Sequence, residues 1–363
     1  MFFDPTKPFN SIPLLPPDFE LETEKVLEQL DISHRYLAEL KINSRTIANN
    51  SVLLNTLALR EAKSSSAIEN IFTVYDELYK YDLFSDQVES PASNQVLRYS
   101  KALIYGYNLI KKDKKLSISK ILSIKQILED NDAEVRKVPG TVLKNIRTGE
   151  TAYTPPDDPN VILNALRNLE KYINDQDFQN VDPLIKMAVI HYQFEAIQPF
   201  YDDNWRTGRI INVLYLVMNN LLDMPVICLS NYFMEKKSDY YRLLNEVRTR
   251  NNWENWIIFI LKAVQYTAED GIALIMEIKE LMNEFKFKIW NELPKIYSQD
   301  LLYLLFRHPY INIDIGMNDL GVSRLTVTKY LNELTEKGLL KKNKLGRNLY
   351  YVNKPLFDLF VRK

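Results

Sequence analysis

The 363-residue chain is nearly neutral, with 46 Lys and Arg against 47 Asp and Glu, which excludes a polycation that coats nucleic acid over its whole surface. An apolar fraction of 46% is that of a packed protein, and nine glycines are few for a turn-rich sheet protein. A single cysteine, Cys228, excludes an internal disulfide framework and is expected to be a small buried hydrophobe. We expect a mainly α-helical cytoplasmic protein of two or three domains, with no membrane span or secretory signal.

The near-neutral total conceals a charge asymmetry along the chain. Residues 301–363 carry 11 Lys and Arg against 5 Asp and Glu, a net charge of +6, which leaves −7 for residues 1–300. An acidic body joined to a basic end indicates two separate functions.

The predicted elements are mostly helices. Five prolines keep residues 1–18 extended. Apolar spacing then predicts helical structure over residues 21–79, including a helix at 51–68, and further helices over 94–109, 117–127, 161–172, 181–198, 205–219, 240–248 and 253–284. Between 138 and 159 the helical pattern gives way to glycine and proline around two β-branched pieces, 141–143 and 152–154, which predicts a hairpin.

The chain from about residue 297 forms a separate unit in this interpretation. A helix is predicted over 311–320, and a second one follows Ser323 as N-cap, with Leu325, Val327, Leu331 and Leu334 facing inward. Two strands, 339–342 and 348–352, follow, joined by a turn at 344–347. This order of helix, turn, helix and basic hairpin is typical of a winged-helix domain.

The winged-helix interpretation suggests duplex DNA as a partner. The side chains expected to face a major groove are Ser323, Arg324, Thr326 and Lys329, and those expected to meet phosphates are Lys341, Lys342, Lys344 and Arg347. Winged helices also serve as dimerisation or protein-docking modules, so both alternatives stay open.

The central run 197–209 has the pattern of an anion site. One helix should end before Pro199 and another should begin near Asn204, which leaves backbone N–H groups free at a positive helix end. Arg206 and Arg209 share one face of that helix, and Asp202 is a hard oxygen ligand suited to a magnesium ion shared with phosphates. A capped helix with surface arginines is the alternative.

Residues 198–209 resemble the signature loop of Fic proteins, His-Pro-Phe-x-Asp/Glu-Gly-Asn-Gly-Arg-x-x-Arg. Four other segments resemble parts of the family: the helix before the loop (191–197), the flap hairpin (139–156) and two later helices (239–244 and 253–256). In addition, residues 60–70 resemble the family's inhibitory helix, whose motif is Ser/Thr-x-x-x-Glu-Gly/Asn. The resemblance covers most of residues 1–270. It implies an N-terminal helical region with the inhibitory helix (1–95) and a Fic core with the flap (96–285), ahead of the winged-helix domain (295–363).

The resemblance implies a protein adenylyltransferase, which moves AMP from ATP–Mg²⁺ to a hydroxyl of a target protein. Carried over by position, Asp202 would bind the metal, and Asn204, Arg206 and Arg209 would contact the phosphates. The flap, residues 142–153, would align the target as an added strand. The inhibitory residues would be Ser65, Glu69 and Asn70, with Glu69 pairing with Arg209. A second copy of the chain is another candidate partner.

Three positions depart from the family pattern. Gln198 stands at the catalytic histidine, and a carboxamide cannot accept a proton from an attacking hydroxyl; losing a general base typically costs about 10²–10⁴-fold. Asp203 replaces a glycine and places a carboxylate against phosphate oxygens. Trp205 replaces the second glycine with a large ring. These changes predict impaired catalysis and argue against the usual phosphate pose.

The altered loop has two functional explanations, and a third is that the substitutions were introduced deliberately. Either the chain retains the Fic scaffold for binding or regulation, or it still handles a nucleotide in a shifted pose with another base. His191 is the nearest histidine, and we expect it to be structural. The two hypotheses are thus a weakened, autoinhibited adenylyltransferase and a non-catalytic regulator that binds DNA or a protein partner.

Overall fold

The protein is described by a computed structural model over residues 4–47, 49–132, 134–144 and 149–361. Within these residues the α-helices are α1 Glu24–Ser44, α2 Asn50–Ile68, α3 Tyr75–Leu83, α4 Pro91–Ile110, α5 Ile118–Glu129, α6 Pro159–Asn174, α7 Pro183–Ile197, α8 Asn204–Met218, α9 Leu229–Glu235, α10 Lys237–Arg250, α11 Trp253–Glu292, α12 Gln299–Arg307, α13 Ile313–Leu320, α14 Arg324–Glu336 and α15 Lys354–Val361. The strands are β1 Leu143–Lys144, β2 Thr151–Tyr153, β3 Tyr310–Ile311, β4 Lys341–Leu345 and β5 Asn348–Val352. The expected mainly helical fold with a small flap hairpin is confirmed.

Helix α7 forms the centre of the body and leads into the signature loop. Every residue from Leu184 to Ile197 is buried, the polar Lys186, His191, Gln193 and Glu195 included, so this helix is enclosed on all sides. It packs against α6, α8 and α11, while the 40-residue α11 lies along α1. The loop after α7 therefore starts from a fully buried helix at the centre of the body.

Several predicted boundaries were wrong by a few residues, and some elements were not predicted. The helix predicted through residue 198 ends at Ile197, because Gln198 adopts a left-handed backbone with φ +46°. Helix α11 continues to Glu292 rather than ending at 284. Helices α9, α12 and α15 were not predicted, because they have only seven to nine residues, too few for a clear helical period. Helix α3 begins inside the region predicted to be helical, 21–79, and extends beyond it to Leu83. The three proposed domains stay a prediction, and α11 runs through the boundary placed at 285.

The C-terminal unit contains a three-stranded sheet in the order β3-β5-β4, with antiparallel pairing throughout. Strand β3 occupies the start of the predicted 311–320 helix, and β4 begins two residues later than predicted and extends to Leu345. The inward placement of Leu325 was wrong, since its side chain is 84% exposed. Residues 325 and 327 lie about 200° apart around a helix, so burying Val327 turns Leu325 to solvent.

Aromatic side chains join the C-terminal unit to the N-terminal helices. The Tyr310 hydroxyl donates to Asp76 Oδ1 at 2.6 Å, and its ring stacks on Tyr79 with centroids 5.2 Å apart. Phe84 meets Tyr350 edge-on at 5.8 Å. Such aromatic pairs bury large apolar areas, so the unit shares one core with the body. Cys228 is buried, as expected.

Among the described residues, no helix is both long and apolar enough to cross a lipid bilayer.

Candidate functional site

The signature loop begins at Gln198, the residue at the family's histidine position. Gln198 is only 2% exposed, and its Nε2 donates to the backbone oxygen of Glu195 at 3.1 Å and to Glu195 Oε2 at 2.9 Å. Its carbonyl oxygen Oε1 accepts no hydrogen bond from a described residue. The carboxamide is therefore held in place and presents an acceptor, with no titratable group.

Glu195 lies directly behind Gln198 and is buried. Burial raises the pKa of its carboxyl to about 8, an effect opposed by the nearby charge of Arg209. Its Oε1 finds no hydrogen-bond partner among the described residues. Gly208 allows this arrangement, because a Cβ at that position would collide with Glu195 Oε1. Helix α8 thus approaches α7 closely at the Glu195 carboxyl group.

The Asn204 amide fixes the shape of the loop. Its Oδ1 accepts from the Phe200 N–H at 2.8 Å, and its Nδ2 donates to the Phe200 carbonyl at 2.8 Å. Both polar groups of this buried side chain are consequently used within the loop. Asn204, expected to contact phosphate, acts here as a brace for the loop backbone.

Arg136 is the main contributor to the site that the sequence did not reveal. This 1% exposed side chain donates from Nε to the Gln198 carbonyl at 2.6 Å and from Nη2 to the Ile197 carbonyl at 3.2 Å and to the carbonyl of Pro156. Its own backbone N–H donates to the Pro199 carbonyl at 2.9 Å. It satisfies orphan carbonyls at the C-terminal end of α7. It stands in an irregular segment, where no periodicity marks buried positions.

Asp203 neutralises Arg206. The carboxylate receives Arg206 Nε at Oδ1, 2.7 Å away, and Nη2 at Oδ2, in a two-pronged ion pair. Asp203 adopts φ +55°, a left-handed conformation that the family's glycine would adopt freely and that Asp tolerates. Arg206 is 3% exposed. The carboxylate that stands at the family's glycine position therefore pairs with the first arginine of the loop.

Arg209 is neutralised by the end of helix α2. Its Nε donates to Ser65 Oγ at 2.8 Å, and its Nη2 donates to the Ser65 carbonyl at 3.1 Å and to Glu69 Oε1 at 3.0 Å. Burial alone would lower the pKa of this guanidinium, but the facing Glu69 carboxylate and neighbouring tyrosines raise it. The Glu69–Arg209 pair expected from the resemblance is thus formed. Asn70 follows with φ +62° and accepts from Lys237 Nζ at 3.3 Å.

Trp205 turns its ring toward helix α10. It meets Tyr241 edge-on with centroids 5.3 Å apart and Tyr240 at 6.1 Å. The half-buried ring also lines the open cleft beside the loop. A residue that replaces glycine has therefore become an aromatic wall of the cleft.

The cleft lies between the signature loop, the end of α2 and the flap, and has a volume of about 680 Å³. Its lining residues are Glu69, Pro139, Gly140, Thr141, Val142, Leu143, Gln198, Tyr201, Asp202, Asp203, Asn204 and Trp205. Strand β1 of the flap pairs with β2 in antiparallel register, Leu143 opposite Tyr153. Residues 145–148 of the predicted flap lie outside the described residues.

The nearest histidine is a structural residue, as expected. His191 is fully buried, stacks between Phe233 and Trp256, and shares a 2.8 Å hydrogen bond with the Tyr240 hydroxyl. Burial lowers the pKa of its imidazole to about 3. His191 is thus a neutral core group, and it does not line the cleft.

The residues present do not fit ATP–Mg²⁺ well. Triphosphate binding requires free positive charge, yet Arg206 and Arg209 are buried and paired with carboxylates of this chain. Asp202 is exposed and can offer one oxygen ligand. However, the described residues contain no group of three His, Cys, Asp or Glu placed to hold a metal ion. The free N–H groups at the start of α8 are the remaining anion-binding feature of the loop.

The C-terminal unit keeps its cations at the surface. Ser323 caps α14 by accepting from the Thr326 N–H at 3.3 Å. Arg324 and Lys329 make only exposed ion pairs, with Asp314 at 3.7 Å and Glu333 at 3.9 Å. On the hairpin the exposed basic residues are Lys341, Lys342, Lys344 and Arg347, of which Lys342 donates to Asn332 Oδ1 at 2.9 Å.

Three family models match successive parts of the chain. The Fic/DOC family N-terminal model matches residues 27–108, the Fic/DOC family model matches 115–216, and the C-terminal domain of SoFic-like protein adenylyltransferases matches 281–356.

Curated relatives and solved structures agree with these matches. The chain is 28% identical to protein adenylyltransferase fic-1 of Caenorhabditis elegans over 34% of this chain and 24% of that protein. It is 28% identical to a probable protein adenylyltransferase of Aquifex aeolicus, over 47% of this chain and 51% of that protein. The chain thus matches a quarter to a half of these relatives' length. A Fic family protein from Desulfovibrio desulfuricans G20 shares the fold, with a TM-score of 0.59, 16% identity and coverage of 93% of this chain and 98% of that one.

Proposed function

Because the chain belongs to the Fic/DOC family, we propose that it is an adenylyltransferase-type scaffold that no longer transfers AMP efficiently and acts instead by binding. The observation that carries this proposal is the neutralisation of both loop arginines by carboxylates of the same chain, Asp203 on Arg206 and Glu69 on Arg209. A transition state of phosphoryl transfer needs such cations aimed at its developing charge.

The lack of a histidine at the position of the family's general base supports the same proposal. Gln198 cannot titrate, His191 is neutral and enclosed in the core, and neither His34 nor His308 lines the cleft. Glu195 is the one nearby group whose pKa lies close to neutral, but it is buried behind Gln198. A base must come within hydrogen-bond reach of the attacking hydroxyl. Of the carboxylates on the cleft wall, Glu69 and Asp203 are paired with arginines, which leaves Asp202 as the exposed candidate in place of the family's histidine.

Incubation with α-labelled ATP and Mg²⁺ tests the proposal. The wild-type chain should label neither itself nor proteins of a lysate, with or without Glu69→Gly. The triple reversion Gln198→His, Asp203→Gly and Trp205→Gly, combined with Glu69→Gly, should label by at least about 10²-fold more, as expected when a general base is regained. Arg209→Ala in the reverted chain is the matched negative control. Labelling by the wild-type chain equal to that of the reverted chain would overturn the proposal.

Duplex DNA binding by the C-terminal unit is a second candidate function. The observation that favours it is the set of exposed hairpin cations, of which Lys341, Lys344 and Arg347 form no ion pair within the described part of the chain. Exposed Lys and Arg release counterions from DNA and give a salt-dependent affinity. Binding to a labelled duplex that weakens as salt increases is the expected result, and an affinity that salt leaves unchanged would contradict it.

A further inference from the structure

We propose that the cleft binds a positively charged peptide segment in place of a nucleotide, with an arginine or lysine side chain directed at the signature loop. This inference rests on the proposed loss of AMP transfer, because it assigns a ligand to the same site. The argument starts from the chemical character of the cleft wall.

Among the described residues, the charged side chains of the cleft wall are all carboxylates. Glu69, Asp202 and Asp203 line it, whereas no Lys or Arg does so among the described residues. The two arginines that should face a phosphate lie behind this wall, buried at 1% and 3% exposure and paired with Glu69 and Asp203. Asp202 carries a charge that no described cation balances. The wall is therefore net negative toward the cleft.

Gln198 gives an independent indication of a hydrogen-bond donor as ligand. Its side chain is 98% removed from solvent, and its amide nitrogen is used on Glu195. Its carbonyl oxygen Oε1 has no hydrogen-bond partner among the described residues. This atom is not completely enclosed by protein, and Gln198 lines the cleft. A fixed, unpaired acceptor beside carboxylates favours an ammonium or guanidinium group and disfavours phosphate oxygens.

Aromatic rings complete a site for a cation. Trp205 lines the cleft on one side, and Tyr201, 54% exposed, lines it in the loop. Ring faces attract Lys and especially Arg, because the negative face of the ring interacts favourably with a cation. The replacement of glycine by Trp205, which obstructs a nucleotide phosphate, is favourable for such a side chain.

The flap offers a binding surface for the backbone of a peptide ligand. Strand β1 pairs only with β2 in the described residues, so its other edge is open, and Val142 and Leu143 line the cleft. An open edge can accept an extended chain as an additional strand. The volume of about 680 Å³ is within the range of ligand sites. The free N–H groups at the start of α8 do not require an anionic ligand, because the exposed Asp202 carboxylate already brings negative charge close to that helix end.

The test uses calorimetric titration of the full chain with three blocked nonapeptides, in which valine alternates with arginine, with citrulline or with glutamate. Citrulline keeps the shape of arginine and removes its charge. We expect the arginine peptide to bind at least tenfold more tightly than the citrulline peptide, with an affinity that falls as salt increases. The glutamate peptide should give no saturable binding.

Matched variants locate the binding at the cleft. Asp202→Asn with Asp203→Asn should weaken the arginine peptide at least tenfold, while Glu28→Gln with Glu39→Gln, which removes two exposed charges from α1, should change its affinity less than twofold. Equal loss in both double variants would show non-specific attraction and overturn the proposal. No binding of the arginine peptide, or equal binding of the citrulline peptide, would do the same. Either failure leaves the α-labelled ATP result untouched, so the two proposals are judged separately.

Discussion

The arginines of the signature loop and the basic residues of the C-terminal hairpin differ in one decisive respect. Arg206 and Arg209 are buried and each is paired with a carboxylate of the same chain. Lys344 and Arg347 are exposed and unpaired within the described residues. A cation contributes to anion binding only when its charge is still available. Of these two sets of cations, the hairpin residues are therefore the ones that an anionic ligand can reach, although the sequence motif for phosphate lies in the loop.

The largest expected effect concerns the support of the loop by Arg136. Arg136→Ala should remove the donors of three buried carbonyls and lower the free energy of unfolding by about 3–5 kcal/mol. Chemical denaturation monitored by circular dichroism measures this change. Lys344→Ala, an exposed control, should stay within about 0.5 kcal/mol. If both variants lost the same small amount of unfolding free energy, the buried cation at the loop would be no more important for stability than an exposed cation of the hairpin, which would contradict this account.

A pH dependence follows from Glu195. Burial raises the pKa of its carboxyl from 4.5 to about 8, so the folded chain holds a proton that the unfolded chain releases. This contribution to stability is complete below about pH 4.5 and is lost as the pH rises through 8. Glu195→Gln should reduce the fall in unfolding free energy between pH 5 and pH 8 by about 2–4 kcal/mol. Denaturation curves at both pH values measure it, and Glu28→Gln should leave the fall unchanged. Parallel pH profiles of Glu195→Gln and the wild type would refute this account.

The pair between Glu69 and Arg209 should have a smaller effect on stability. Glu69→Ala leaves a buried guanidinium with Ser65 as its remaining partner, which should cost about 1–3 kcal/mol because Glu69 is itself 25% exposed. Denaturation midpoints in urea report the loss. Glu39→Ala, which removes an exposed carboxylate from α1, should have an effect near zero. A loss below that of Glu39→Ala would show that Arg209 needs no anionic partner.

The smallest effect concerns the hairpin cations. Lys344→Ala with Arg347→Ala should make the slope of log affinity against log salt for duplex DNA shallower by about 2, since each phosphate contact contributes about 0.9. Lys112→Ala with Lys115→Ala, two exposed cations of the body, should not alter the slope. An unchanged slope in the hairpin variant would remove these residues from any DNA contact.

The sequence predicted the helical fold and the positions of the loop residues well, because apolar periodicity is strong and motif spacing fixes neighbours along a helix. The sequence did not predict that Asp203 would form an ion pair with Arg206. The pairing of Asp203 with Arg206 depends on the left-handed turn at Asp203. The role of Arg136 depends on a contact across some sixty residues of sequence. Leu325 was misplaced because one residue can fit an apolar pattern and still lie on the exposed face.

Equilibrium binding of ATP–Mg²⁺ tests the central claim most directly, since it requires no turnover. Calorimetric titration should show no saturable binding to the wild-type chain at millimolar ATP. The variant with Gln198→His, Asp203→Gly, Trp205→Gly and Glu69→Gly should bind ATP saturably, because both loop arginines are then released from their carboxylates. Wild-type binding as tight as that of the variant would show that the paired arginines still serve a nucleotide, and would contradict the account.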